Sequence, residues 1–403
     1  MTNILFVDDE PLVLEGLQRM LRSLRQEWQM NFLPSGAEAL KFMENNPVDV
    51  VVADMRMPGM NGAQLLNEVM KRHPQTVRLI LSGHADQELI LQCVGTTHQY
   101  LSKPCDAEML KRTVRRAATL GNSLQNDAVK RLVARMDRLP TIPSLYTKMI
   151  ETLQSPEVSL DEVALIVQRD PGMTAKILKL VNSAFFGLSW PIASPVEAIS
   201  HLGMETVKSL VLCLHVFTQY QFARPGGISV DEVWLHSLRT AEAARMIAGH
   251  EDLSVKEQDE AFVGGLLHDV GKLVLACNCA ADYEKVCRVA QTESLSLLEA
   301  ERRIFSCTHA DVGGYLLGLW GLPVPVVEAL TFHHTPALSL NDCFSPLTAV
   351  HAANSLVHEA DVARGLRASA KLDQEHLEKL GVADHIRLWR DELRQPKDMK
   401  CTL

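Results

Sequence analysis

No apolar run in the 403 residues approaches the roughly 20 needed to cross a bilayer as a helix. Aromatic residues are scarce at 5% of the chain, so the tryptophans and the Phe185-Phe186 pair read as packing and not as stacking platforms for bases. Positive charge is in deficit. The 40 Lys and Arg against 49 Asp and Glu leave a formal net charge of -9, which argues against a general affinity for nucleic acid or anionic membrane and points to protein or small-molecule partners. The nine cysteines form no paired Cys-x-x-Cys arrangement of the zinc type, and the N-terminus carries no secretory pattern. A cytoplasmic chain with free thiols is expected. What remains is an ordinary globular mixture, 47% hydrophobic and 22% charged, long enough for two or three domains.

From Met1 to about Leu120, short apolar runs alternate with helical patterns. The runs are Ile4 to Val7, Val48 to Ala53, Val77 to Leu81 and Gln99 to Leu101, with a weaker one near Asn31 to Leu33. Helical stretches cover Pro11 to Arg25, Gly36 to Glu44, Ala63 to Arg72, Gln87 to Val94 and Ala107 to Ala118. Such alternation implies a doubly wound parallel sheet of five strands with helices on both faces. Ligands collect at the carboxyl ends of strands in such sheets. Asp8 and Asp9 end the first strand there, Asp54 the third and Ser82 the fourth, and Lys103-Pro104 follows the fifth. Any one carboxylate alone reads as a solvated strand-end residue. Three converging with no basic neighbour between them would repel, and a divalent cation with a preference for hard oxygen ligands, magnesium, is the natural neutraliser. A carboxylate so placed can attack a phosphoryl donor, with Lys103 and Ser82 suited to grip the incoming oxygens.

These residues, with Met57-Pro58-Gly59-Met60-Asn61-Gly62 after Asp54 and Tyr100-Leu101-Ser102-Lys103-Pro104 near the end, resemble a response-regulator receiver domain. The resemblance implies that Asp54 is the phosphoacceptor, that Asp8, Asp9 and Asp54 hold magnesium together with the Arg56 carbonyl, and that Ser82 and Tyr100 are coupled switch residues. Asn61 departs from the pattern, since Asp is frequent there. The implied partner is a histidine kinase, and such domains often form homodimers.

A polar joint runs from about residue 121 to 138, with Gly121-Asn122 as its break. No helix-turn-helix pattern follows it, so a transcription-factor reading lacks a DNA-binding module. The joint is expected to pass a receiver signal by changing a packing arrangement.

Beyond Leu139 the patterns are helical, which predicts an all-α domain over about 139–360 and a charged, solvated tail over 361–403. Leu139-Pro140-Thr141-Ile142-Pro143 is read as the opening of a helix, and Ser159 with Glu162 as a capping box. Gly264-Gly265-Leu266-Leu267-His268-Asp269-Val270-Gly271-Lys272 puts an ionisable pair inside an apolar helix. Both groups lose water and must be paired, hydrogen-bonded or metal-bound. The two double glycines, Gly264-Gly265 and Gly313-Gly314, read as sites of close helix packing.

Leu139-Pro140, Asp170-Pro171, Leu180-Val181-Asn182-Ser183-Ala184, Ala198-Ile199 with Leu202-Gly203, Leu267-His268-Asp269, Glu299, His309, Trp320-Gly321-Leu322-Pro323 and His333-His334, in this order, resemble an HDOD domain. That family is related to metal-dependent HD phosphohydrolases and is generally regarded as having lost their chemistry. His236, His268, Asp269, His309, His333 and His334 are the candidate ligands of a transition metal, which could lower the pKa of a bound water. The distal carboxylate is replaced: Asn354 falls there, and Asp361 substitutes only if the register shifts by about two helical turns. No Gly-Tyr-Pro follows His333-His334, which argues against cleavage of cyclic di-GMP. The chain is therefore expected to be a two-component response regulator in a phosphorelay. Its HDOD domain is expected to be a non-catalytic output that binds a downstream protein. The alternative is a receiver-regulated, metal-dependent HD-type phosphohydrolase acting on a nucleotide or cyclic dinucleotide.

Overall fold

The structure, a computed structural model, describes residues 2–82, 97–103, 108, 110–115, 133, 140–141, 148–149, 152–153, 158–182, 191–204, 207, 218–219, 225–339, 343–363 and 371–394. The side chains of Ser82, Tyr100 and Asp361 lie outside that description, as do the helix expected over Gln87 to Val94 and nearly all of the joint.

The first unit alternates strand and helix: β1 Thr2–Val7, α1 Pro11–Met20, β2 Trp28–Leu33, α2 Gly36–Met43, β3 Val50–Asp54, α3 Gly62–Arg72, β4 Val77–Ser82 and β5 Gln99–Ser102. The strands form one parallel sheet in the order β2-β1-β3-β4-β5. Every residue of β3 is buried, as are Ile4 to Val7 of β1. Continuous Val, Ile and Leu runs, instead of alternating ones, are what a sheet covered on both faces requires. The helices start on local signals. Pro11 occupies the first turn of α1, Ser35 accepts from the Glu38 amide, and Asn61 forms a full capping box with Gln64 at α3. Asn61 thus serves as a helix cap in the loop after Asp54.

The second unit is helical: α4 Leu160–Gln168, α5 Pro171–Val181, α6 Pro195–Leu202, α7 Val230–His250, α8 Val255–Leu267, α9 Val270–Asn278, α10 Ala280–Thr292, α11 Leu297–Phe305, α12 His309–Leu319, α13 Val324–Phe332 and α14 Pro346–Ala363. Pro140–Thr141 does not open a helix; it pairs in parallel with Thr218–Gln219 as a two-residue bridge, β6 with β7. Leu139 and Ile142 each precede a proline, which biases both toward extended backbone.

Glycines set the closest helix contacts. A Cβ at Gly265 would stand 2.7 Å from the Ala241 Cα, and one at Gly271 would stand 1.9 Å from the His309 carbonyl oxygen. The residues flanking His268-Asp269 are therefore fixed by backbone-to-backbone packing of α8 on α7 and of α9 on α12. A Cβ at Gly314 would likewise collide with Thr331 Oγ1 at 2.1 Å, which brings α12 against α13.

The charged C-terminal segment is docked instead of solvated. Helices α15 Gln374–Lys379 and α16 Ile386–Arg394 bury Leu377 and Trp389 in one apolar cluster with Ile247, Val350 and Val357 of α7 and α14. His351 joins this cap to the core, because its Nδ1–H donates to the His333 carbonyl at 2.7 Å and its Nε2 accepts the Asp373 amide at 2.8 Å. The charges dominate this segment's composition, but Ile386, Trp389 and Leu393 recur at helical spacing and form the face that docks. Trp389→Ala is expected to lower the stability of the helical unit by about 3–5 kcal/mol, the usual cost of emptying a buried aromatic site. Urea denaturation checks this; an unchanged midpoint would mean the cap is not part of the fold.

Candidate functional site

The chain leaves β1 toward β2 on one side and reaches β3 on the other, so a crevice opens at the carboxyl ends of β1 and β3. Asp8 follows β1 and Asp54 ends β3, both buried. The expectation that no basic group would sit between them is overturned: Lys103 Nζ lies 2.8 Å from Asp8 Oδ2 and also contacts Asp54 Oδ1. A chain separation of 95 residues between Asp8 and Lys103 hides this pairing from sequence spacing. The remaining oxygens accept backbone amides, Asp8 Oδ1 from Glu10 at 2.9 Å and Asp54 Oδ2 from Arg56 at 2.8 Å. Burial pushes the Asp54 carboxyl above its ordinary range and outweighs Lys103, while Asp8 adds repulsion. Lys103 is itself raised: burial opposes the ammonium, and the bonds to Asp54 and Asp8 overcome that. Asp9 stands half-buried beside them. Two buried carboxylates share one ammonium, so the pocket keeps a negative balance that suits a cation. Gly62 keeps α3 tight against this end, since a Cβ there would stand 2.1 Å from the Asp54 carbonyl oxygen. Ser82 ends β4 in register with Ser102, and Tyr100 pairs with Ile80.

The second site assembles all six residues expected from the sequence. His236 comes from α7, His268-Asp269 from the α8–α9 junction, His309 from the first position of α12, and His333-His334 from the end of α13. The ligand atoms of His309, His333 and His334 lie within 4.8 Å of one another, and so do those of His236, His268 and Asp269. Asp269 joins the two sets, with Oδ2 at 3.4 Å from His268 Nε2 and Oδ1 at 3.3 Å from His309 Nε2.

His268 and Asp269 do not satisfy each other. His268 Nδ1–H donates to the Gly265 carbonyl at 2.7 Å, and Asp269 Oδ2 accepts from Lys272 Nζ at 2.6 Å. His333 Nδ1–H donates to the Leu330 carbonyl, also at 2.7 Å. In both rings the outer nitrogen is fixed by backbone and Nε2 faces inward. Among the described residues, His268 Nε2 and His333 Nε2 are buried with no hydrogen-bond partner, and Asp269 Oδ1 has only the 3.3 Å approach of His309 Nε2. Orphaned polar atoms at one focus are costly in the folded chain unless something binds them. Imidazole nitrogens with a carboxylate suit a divalent transition metal.

Three participants escaped the sequence reading. Glu301 of α11, fully buried, accepts from both the His309 amide and His309 Nδ1 at 2.8 Å and from Tyr283 Oη at 2.8 Å. It orients His309 as a carboxylate partner orients a metal-binding histidine. Its signal was an acid within the apolar stripe of Ala300, Ile304 and Phe305, whereas the motif residue Glu299 only caps α11 from its exposed face. His358, one turn beyond Asn354 on α14, packs against His236 with ring centres 4.2 Å apart and planes tilted by 30°. Lys272 is the buried cation beside Asp269. Asn354 lines the site where a carboxylate was sought, with Oδ1 at 2.9 Å from His236 Nε2.

Burial pushes His268 and His358 down to about 3 and holds His333 and His334 well below the ordinary imidazole range. Their rings are neutral at pH 7. His309 is raised instead: burial opposes its charge, and Glu301 more than offsets that. Asp269 is held ionised: burial opposes its charge, and the Lys272 ammonium with the bond to the raised His309 outweighs it. A histidine with a depressed folded pKa takes up its proton in the unfolded chain first. Stability is therefore lost as pH falls from the unfolded value of 6.5 toward the folded value of about 3. In metal-free protein the urea midpoint is expected to fall between pH 7 and pH 4.5, with a shallower fall in His268→Gln. Equal pH slopes in the two proteins would contradict the assignment.

The profile of the response regulator receiver domain matches residues 4–115, and that of the HDOD domain matches residues 139–336. Among solved structures, the MmoQ response regulator from Methylococcus capsulatus str. Bath is similar at 26% identity and TM-score 0.51, over 63% of this chain and 98% of that one. Among curated proteins, the hydrogenase transcriptional regulatory protein HoxA from Cupriavidus necator is 36% identical over 126 residues, 31% of this chain. An uncharacterized protein from Treponema pallidum is 25% identical over 234 residues, 55% of this chain. The chain spans only 25% of the former's length and 44% of the latter's. The fold, the buried Asp8–Lys103–Asp54 arrangement and these matches identify the chain as a response regulator in which a receiver domain is followed by an HDOD domain.

Proposed function

We propose that Asp54 accepts a phosphoryl group from a partner histidine kinase and that the HDOD domain is the output, a surface presented to a downstream protein. The observation that carries this reading is the single ammonium of Lys103 shared by Asp8 and Asp54 at the sheet's switch point. Asp54 Oδ attacks phosphorus as the bond to the donor nitrogen breaks. Lys103 is in place to hold an incoming phosphoryl oxygen, and Ser82 ends the adjacent strand. Asp8, Asp9, Asp54 and the Arg56 carbonyl would hold magnesium, which offsets the charge that gathers on the phosphoryl oxygens. In full-length protein given acetyl phosphate and magnesium, Asp54→Asn is expected to abolish aspartyl-phosphate labelling. Undiminished labelling would remove Asp54 from the role.

The HDOD domain is read as non-hydrolytic. Asn354 brings no charge to the position of the distal ligand, and the Lys272 ammonium already occupies Oδ2 of Asp269. A second reading, a metal-dependent phosphohydrolase under receiver control, is favoured by the unpartnered His268 Nε2 and His333 Nε2 beside the Asp269 carboxylate. Both readings place a transition metal among His236, His268, Asp269, His309, His333 and His334, where it would supply Lewis acidity. Affinity for added cobalt(II) or zinc is expected to drop about 10-fold or more in Asp269→Asn and about 10–100-fold in Glu301→Ala, the usual effect of losing an orienting partner. Metal uptake equal to wild type in both variants would contradict the site. Turnover of a phosphate ester or cyclic dinucleotide by the loaded protein would favour the hydrolase over the interaction output.

A further inference from the structure

The two units share apolar contacts, and among the described residues a side-chain hydrogen bond also joins them. β5 is the edge strand of the sheet, and at its first residue Gln99 Nε2 donates to the carbonyl of Leu319, the last residue of α12, at 3.1 Å. The same side chain lies against Gly321, where a Cβ would stand 3.3 Å from Gln99 Cδ and where φ is +82°. One residue past the other end of β5, Lys103 contacts Asp8 and Asp54. At the other end of α12, His309 enters the histidine cluster and is held there by Glu301. A continuous line of contacts thus runs from Asp54 through Lys103, β5, Gln99 and α12 to His309. Its strand of 4 residues spans about 13 Å and its helix of 11 residues about 16 Å.

The helix is poorly able to absorb a push by bending. Its first carbonyl is packed on Gly271 and its Gly314 on Thr331. Trp320, which caps it, is fully buried, with the ammonium groups of Lys176 and Lys179 of α5 at 4.5 and 4.8 Å from its ring centre. A close-packed element wedged at both ends shifts as a body or repacks as a unit. A phosphoryl group on Asp54 adds strong acceptor oxygens that compete for Lys103, and Lys103 is joined to β5 by the backbone.

We propose that α12 couples the two sites, so that the ligand state of Asp54 and the metal state of the histidine cluster alter each other through the Gln99–Leu319 contact. This rests on the reading of Asp54 as a phosphoacceptor and of the cluster as a metal site. Coupling between two binding equilibria is reciprocal: if one ligand changes the other's affinity by a factor, the reverse holds with the same factor.

The test uses the full chain in excess magnesium. Cobalt(II) affinity is measured from its visible absorption with and without beryllofluoride, and beryllofluoride affinity by calorimetry with and without cobalt(II). Each ligand is expected to change the other's affinity by one common factor of about 5 or more. Gln99→Ala, which removes the donor, and Gln99→Glu, which keeps the size but replaces the donor with a carboxylate, are expected to bring that factor to one and leave each separate affinity unchanged. Wild-type protein that binds both ligands independently overturns the proposal, as does a factor that survives in both variants. Wild-type protein that fails to bind cobalt(II), or fails to bind beryllofluoride, overturns the underlying reading of that one site and the coupling with it.

Discussion

Burial of charge constrains this molecule more than any other term. Asp269 sits in the helical core with Oδ2 shared by Lys272 and His268 and Oδ1 facing His309. Removing an ionised carboxylate from water costs several kcal/mol unless it is paired and hydrogen-bonded. The close packing of α8 on α7 and of α9 on α12 brings those partners to it. Glycine at positions 265 and 271 permits that approach, because any side chain there would meet backbone. The helices are arranged about a polar centre that an apolar core would not otherwise tolerate.

The same constraint, solved with fewer groups, organises the receiver. Asp8 and Asp54 are buried at adjacent strand ends and rely on one lysine and two backbone amides. Burial raises the Asp54 carboxyl while the Lys103 ammonium favours its ionised form. Chemistry that changes the charge at Asp54 must redistribute Lys103, and few other groups stand ready to compensate. The receiver centre is therefore sensitive to charge, whereas the helical centre has its ring nitrogens oriented by carbonyls and Glu301.

Much of this was legible in the sequence, for identifiable reasons. The strands announced themselves because a sheet covered on both faces needs unbroken β-branched runs, as in Val50 to Ala53. The six cluster residues stood out because histidine beside aspartate in an apolar helix has few inexpensive explanations. Glu301 did not stand out, since one acid on an amphipathic helix looks solvated until α10 and α12 are packed on it. Lys103 between Asp8 and Asp54, and Gln99 on Leu319, are tertiary pairings across 95 and 220 residues that no local period encodes. The docked C-terminal cap was hidden by its high charge, although Ile386, Trp389 and Leu393 recur at the spacing of a helix face.

The central claim is that chemistry at Asp54 is felt in the helical domain. Amide hydrogen exchange on the full chain, with and without beryllofluoride and magnesium, tests it most directly. The account predicts altered protection in α12, over His309 to Leu319, and in the paired-histidine turn packed beside it, as well as around Asp54. Changes confined to the receiver, with α12 exchanging identically in both states, would contradict it.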